Sequence, residues 1–133
     1  MLDVTIHEVS ARTLAAVRRH VALGQIATTW KPALDMVWEF LRRHPGLRTD
    51  GHNVFVYRHP TSCDPLMQVD FGVEVSRSFE PSGDVAVVHT PAGRVASATH
   101  RGPYERLRET HEGIHAWATA NKLTFAGTSW EIY

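Results

Sequence analysis

The chain has 133 residues, enough for one domain that buries roughly two thirds of its unfolded surface. Fourteen basic and fourteen acidic side chains cancel, which leaves no electrostatic footprint for nucleic acid or an anionic membrane. No run approaches ~18 apolar residues, no basic-then-apolar leader is present, and the single Cys63 cannot close an internal disulfide, so the reading is a globular, cytoplasmic protein.

Val4, Thr5 and Ile6 open a short strand, and residues 14–21 form a second whose Arg18, Arg19 and His20 reach solvent. Gly24 breaks the pattern. Leu34, Val37, Trp38 and Leu41 recur at helical spacing, which predicts an amphipathic helix over residues 30–43, capped by Thr28 or Thr29 with Pro32 in its first turn. Arg42, Arg43 and His44 suit its negative end, and Pro45-Gly46 stops it.

Residues 53–58 are a β-rich run, followed by a polar loop at 61–65. Met67, Val69, Phe71, Val73 and Val75 then alternate with Gln68, Asp70, Gly72, Glu74 and Ser76, the pattern of a strand with one wet face on which Asp70 and Glu74 are solvated. Residues 81–84 turn the chain. Strands at 85–88 and 95–99 follow, then Gly102-Pro103 opens a second helix with the stripe Tyr104, Leu107, His111, Ile114 and Ala118, and Asn121 stops it. A turn at Gly127 leads to the closing strand Trp130-Glu131-Ile132-Tyr133.

A weak repeat runs through the chain. Val17 and Gly24 recur as Val95 and Gly102, Trp38 recurs as Trp117, and Gly51 and Tyr57 recur as Gly127 and Tyr133. Each half, about residues 1–80 and 81–133, reads strand, strand, helix, strand. Two such halves predict an α+β domain with pseudo-twofold duplication: one antiparallel sheet of about seven or eight strands, two main helices, and a ligand crevice between the halves.

Arg94-Val95-Ala96, His100-Arg101-Gly102-Pro103-Tyr104, Trp130-Glu131-Ile132-Tyr133 and the strand Asp70-Phe71-Gly72-Val73 together resemble the GyrI-like family, the effector-binding domain of AraC-type and MerR-type multidrug regulators. The resemblance covers nearly the whole chain. It departs at Leu23-Gly24-Gln25-Ile26, where many members carry a second Gly-Pro-Tyr. It implies a stand-alone domain that binds bulky, often cationic aromatic compounds, with an acid at the position of Glu131 among aromatic rings. It also implies two alternatives: hydrolysis of strained, cyclopropane-bearing natural products, or modulation of gyrase as a protein partner.

Glu131 is the first candidate. In a strand, Glu131 and Tyr133 share one face, and an acid among rings attracts an organic cation by Coulomb and cation–π attraction together. The bland alternative is a carboxylate on a wet face paired with Arg. Tyr57, Phe71, Tyr104, Trp117 and Tyr133 are candidate walls, with core packing the competing role for Trp117 and Trp38. His111-Glu112-Gly113-Ile114-His115 matches HExxH, but nine His make chance matches common, His111 belongs to the apolar stripe and Gly113 weakens the helix. We therefore assign no metal and no cofactor. His100 and Arg101 are a loop pair whose anion-binding reading competes with plain solvation. The leading expectation is a non-enzymatic binder of a hydrophobic, cationic small molecule, with no direct nucleic-acid or membrane contact and with a protein partner or homodimer left open. If the chain is instead a hydrolase, Glu131 and Tyr104 carry the chemistry.

Overall fold

The computed structural model describes residues 3–59 and 66–133. Its main elements are β1 (Thr5–Val9), β2 (Thr13–Ala22), α1 (Ile26–Arg43), β3 (Arg48–Arg58), β4 (Leu66–Val75), β5 (Val85–His89), β6 (Gly93–Ser97), α2 (Leu107–Ala120) and β7 (Thr128–Ile132). Every strand pair is antiparallel. The strands form a five-stranded sheet in the order β5-β2-β4-β3-β7 and a two-stranded sheet of β1 and β6. The α+β class and the order of elements follow the sequence. The single continuous sheet does not: among the described residues, β6 pairs only with β1 and β7 only with β3. Loop 61–65, including Cys63, lies outside the described residues.

Two compact units result. One combines Met1–Ser10 with Ala92–Ala126 and contains β1, β6 and α2; the other combines Ala11–Pro91 with Gly127–Tyr133 and contains the five-stranded sheet and α1. Each unit draws on both sequence halves. The pairing registers nevertheless repeat. A shift of 80 residues turns Thr5↔Ser97 through Val9↔Gly93, the β1·β6 ladder, into Val85↔Val17 through His89↔Thr13, the β5·β2 ladder. A shift of 76 exchanges Val54↔Ile132 with Val56↔Trp130 and maps Phe55↔Glu131 onto itself.

Helix α1 begins a turn earlier than its apolar spacing suggests, and Pro32 falls inside it instead of in its first turn. Thr28 and Thr29 do not cap it. Their hydroxyls donate back to the Gln25 carbonyl at 3.1 and 2.8 Å, as Ser and Thr do within helices. The stop is as read, with the last turn carrying Arg42 and Arg43 and His44 Nδ1 3.0 Å from the Phe40 carbonyl. Helix α2 is entered through a 3-10 turn, Tyr104–Arg106, with Pro103 as its extended N-cap.

Period-2 alternation in β2, β3 and β4 sorts the side chains onto two faces. Ala15, Val17, Phe55, Tyr57, Val69, Phe71, Val73 and Val75 join Leu34, Val37, Phe40 and Leu41 of α1 in one buried cluster. Leu14, Ala16, Val54, Val56 and Val88 form a second cluster on the other face, with Trp130 packed against it. The wet face predicted for β4 is therefore absent at its centre, and alternation alone cannot tell a solvated face from a covered one. Asp70 is fully buried and is held by Arg18 (Nε–Oδ1 2.7 Å, Nη2–Oδ2 3.2 Å) and by Arg58 Nη1. Glu74 is half-buried and pairs with Arg12 at 3.0 Å. At Gly72 a Cβ would stand 3.1 Å from both the Ala15 carbonyl and Ala16 Cβ, so the close approach of β2 accounts for the glycine.

A carboxylate buried between two guanidiniums must keep them or lose the fold's central strand, while the half-exposed arginines reach water without it. Asp70→Asn is therefore expected to lower unfolding stability by about 2 kcal/mol in urea titration, less than the ~3–5 kcal/mol of a fully buried broken pair.

Candidate functional site: a carboxylate held by two phenols

β3 and β7 lie side by side with Phe55 opposite Glu131 and Tyr57 opposite Ser129. Residues of equal parity share a face, so Phe55, Tyr57, Ser129, Glu131 and Tyr133 all lie on the face that α1 covers. The Tyr57 hydroxyl donates to Glu131 Oε1 at 2.6 Å, and the Tyr133 hydroxyl donates to the same oxygen. Charge-assisted O–H bonds of this kind are among the stronger ones available to a side chain, and they hold the carboxylate in place.

An aromatic wall stands beside it. The Phe55 ring lies 5.0 Å from Phe71, edge to face, and 5.0 Å from Tyr133, tilted. Trp30 of α1 completes the row, 6.3 Å from Phe55. Burial grades along this row: Phe71 is 0% exposed, Phe55 7%, Tyr133 38% and Trp30 37%. The wall is thus core at one end and surface at the other, with the acid at the wet end. The main chain at Tyr133 is fixed by its N–H to the Asn53 carbonyl at 2.9 Å and by His52 Nδ1, 2.6 Å from the Tyr133 carbonyl. His59 Nε2 lies 2.9 Å from Ser129 Oγ on the same strand pair.

Burial pushes the Tyr57 phenol far above the ordinary tyrosine range, and the adjoining Glu131 charge and hydrogen bond, with Tyr133, push it the same way. Tyr57 therefore stays a donor to Glu131 at any physiological pH.

Of the residues chosen from the sequence, Glu131, Tyr133, Tyr57 and Phe71 come together. Tyr104 and Trp117 belong to the other compact unit, where Tyr104 is 75% exposed and Trp117 half-buried on α2. Sequence reasoning misses Phe55 and Trp30. Phe55 does carry a signal, because it shares parity with Tyr57 and falls 76 residues before Glu131. Trp30 carries none, since the apolar spacing places it at the very start of its helix.

The remaining candidates resolve into structure. Glu112 of the HExxH match pairs with Arg108 at 3.0 Å, and the His115 ring packs edge-on against Phe125 at 4.6 Å. Among the described residues, no three His, Cys, Asp or Glu side chains are grouped to hold a metal. His100 Nε2 donates to the Pro103 carbonyl at 2.9 Å and Nδ1 lies 2.7 Å from Thr110 Oγ1, so both ring nitrogens brace the entry to α2. A cleft of about 530 Å³ lies beside it, lined by Arg101, Arg106, Asp3 and Glu109 among others. Its acidic and basic side chains balance, and the aromatic ring in its lining is that of His100.

The mixed fold of antiparallel sheets and two helices belongs to a small-molecule-binding class of domain. The chain belongs to the GyrI-like small molecule binding domain family, whose model matches residues 2–133. Solved structures share the fold. The EcmrR C-terminal domain superposes with a TM-score of 0.80 at 20% identity, covering 100% of this chain and 84% of that one. An EcmrR–DNA complex gives 0.79 at 20% identity, covering 99% of this chain, which spans about half (49%) of that one. SAV2435 bound to tetraphenylphosphonium gives 0.65 at 11% identity, covering 98% of this chain and 82% of that one. No curated protein matches the sequence. No helix among the described residues is long and apolar enough to cross a membrane.

A raised phenol means that the folded chain keeps a proton the unfolded chain releases near pH 10.0. Its stabilising contribution is complete below that pH and is withdrawn as the pH climbs above it. In alkaline titration of phenolate absorbance, one component should appear only with unfolding, and Tyr57→Phe should remove that component. An early, fully reversible titration of all three tyrosines would contradict the burial.

Proposed function

We propose that the chain binds lipophilic, cationic aromatic compounds at the Glu131 cluster, as a sensor or sequestering domain for drugs or toxins within the cytoplasm. The observation that carries the reading is the Glu131 carboxylate held by Tyr57 and Tyr133 at the wet end of the Phe55–Phe71 wall. Tetraphenylphosphonium, the compound bound to SAV2435, has the chemistry such a site suits: a diffuse positive charge wrapped in rings.

Magnitudes decide which residue matters most. A cation about 4 Å from a carboxylate gains ~4 kcal/mol at an effective dielectric near 20. One desolvated ring face adds ~2 kcal/mol. The acid therefore outweighs any single ring, and the rings set shape. The Tyr133 phenol lies at the exposed end, so an entering cation takes its place beside Glu131 while Tyr57, buried, keeps its bond. Tyr104 and Trp117 are proposed as further ligand contacts, on the strength of the family resemblance alone.

Titration of tetraphenylphosphonium followed by Trp fluorescence tests this, because Trp30 stands in the wall. Saturable quenching is expected, weakened at least about tenfold by Glu131→Gln, which corresponds to ~1.4 kcal/mol. Tyr133→Phe should retain binding, since the ring remains. Equal affinity of the wild type and Glu131→Gln would remove the acid from the mechanism and leave only a greasy surface.

A further inference from the structure

The face of the five-stranded sheet opposite α1 ends in a polar cluster centred on Asp70. Alternation carries the second apolar set into it: Ala16 is followed on that face by Arg18 and His20, and Val56 by Arg58. In register, Arg18 and Val56 flank Asp70, while His20 and Arg58 flank Gln68, with Thr128 beyond Arg58. The apolar middle of the face is closed, with Val54 and Val56 both 0% exposed. The polar end is open, since the Arg18 and Arg58 side chains are 47% and 31% exposed.

Charge is unequal at this end. The other Arg and Lys ion pairs among the described residues join one cation to one acid, as Arg12 does with Glu74 and Arg19 with Asp84. Asp70 takes two cations, so one positive charge is left over, and the neighbouring Gln68 and Thr128 add no acid. Asp70 also fixes both guanidiniums from the buried side, Arg18 through Nε and Nη2 and Arg58 through Nη1. A guanidinium offers more N–H donors than these contacts use. Two planar donor groups are thus held in place with their outer sides toward solvent.

We propose that Arg18 and Arg58 form a binding site for a small organic carboxylate, seated on the solvent side of the two guanidiniums. The left-over charge is one, which a carboxylate cancels and a phosphate dianion overshoots. Guanidinium forks also match the planar geometry of a carboxylate. Trp130 stands opposite Val56, one register step from the Arg58–Thr128 pair, and packs against the apolar set of this face. The organic part of the ligand therefore has a ring and aliphatic surface beside its charge, which favours an aromatic carboxylate. Asp70 is a positioning residue: it orients the arginines and does not touch the ligand. Arg58 and Trp130 have the opposite parity to Tyr57 and Glu131, so this site and the Glu131 cluster lie on opposite faces and stand or fall separately.

Benzoate titrated into the isotope-labelled full chain at constant ionic strength tests the proposal, read by NMR on the arginine Nε–H resonances. Saturable shifts are expected at Arg18 and Arg58. Arg58→Gln should weaken binding at least about tenfold. Arg58→Lys keeps the charge and loses the fork, so it should weaken binding too, and it serves alone if the Gln variant does not fold. Arg12→Gln, at a balanced pair on the same strand system, should leave the midpoint unchanged. Shifts that rise without saturating, or an Arg58→Lys midpoint equal to that of the wild type, overturn the proposal. Inorganic phosphate binding at the same resonances more tightly than benzoate overturns the assignment to a carboxylate.

Discussion

The pairing of β3 with β7 is the constraint on which the rest depends. It joins the last segment of the chain to a strand more than seventy residues earlier, and the register determines which side chains meet. One residue of slip would carry Glu131 to the face of Trp130 and Val56, away from both phenols. The site is therefore as specific as a ladder of five pairs. Two further tethers, His52 to the Tyr133 carbonyl and His59 to Ser129, lie at opposite ends of that ladder and resist such a slip.

The two faces of the five-stranded sheet use charge differently. On the α1 face, the phenols that fix a carboxylate beside rings are neutral donors, so those two bonds hold it without cancelling its charge. On the other face, Asp70 sits between two arginines and its charge is more than cancelled. The first arrangement can fix an acid and still let a cation approach it; the second serves to fasten β2, β3 and β4 together at their centre. The same residue class thus stands at the proposed ligand site in one place and serves architecture in the other, and the difference lies in the partners.

Much of this is legible in the chain. The α+β class, the order of elements and the shared face of Glu131 and Tyr133 follow from periodicity, and the family resemblance points to the same acid. Tyr57 and Phe71 qualify as walls because they are aromatic on apolar alternation, and both stand beside the site. What periodicity does not encode is which strand neighbours which. Phe55 escapes notice because its role exists only once β3 and β7 are adjacent. Asp70 reads as solvated because alternation separates faces without saying what lies over them. The division into two sheets and two units is hidden for the same reason, since every pairing that decides it is nonlocal. The spacing starts α1 too late because Pro32 mimics a start signal, although an exposed proline further in costs only one hydrogen bond at the surface.

That proline has a mechanical consequence. Without an N–H at Pro32, the carbonyl one turn earlier, at Thr28, has no helical donor, and the ladder of α1 is interrupted between its first turn and the segment that carries Leu34, Val37, Phe40 and Leu41. Trp30 stands on the near side of that interruption. The buried rings Phe55 and Phe71 are anchored to the sheet, whereas Trp30 is carried by α1 on the N-terminal side of Pro32. At the proposed site, a floor of buried rings fixed to the sheet therefore faces a ring carried on the N-terminal side of an interrupted helix ladder.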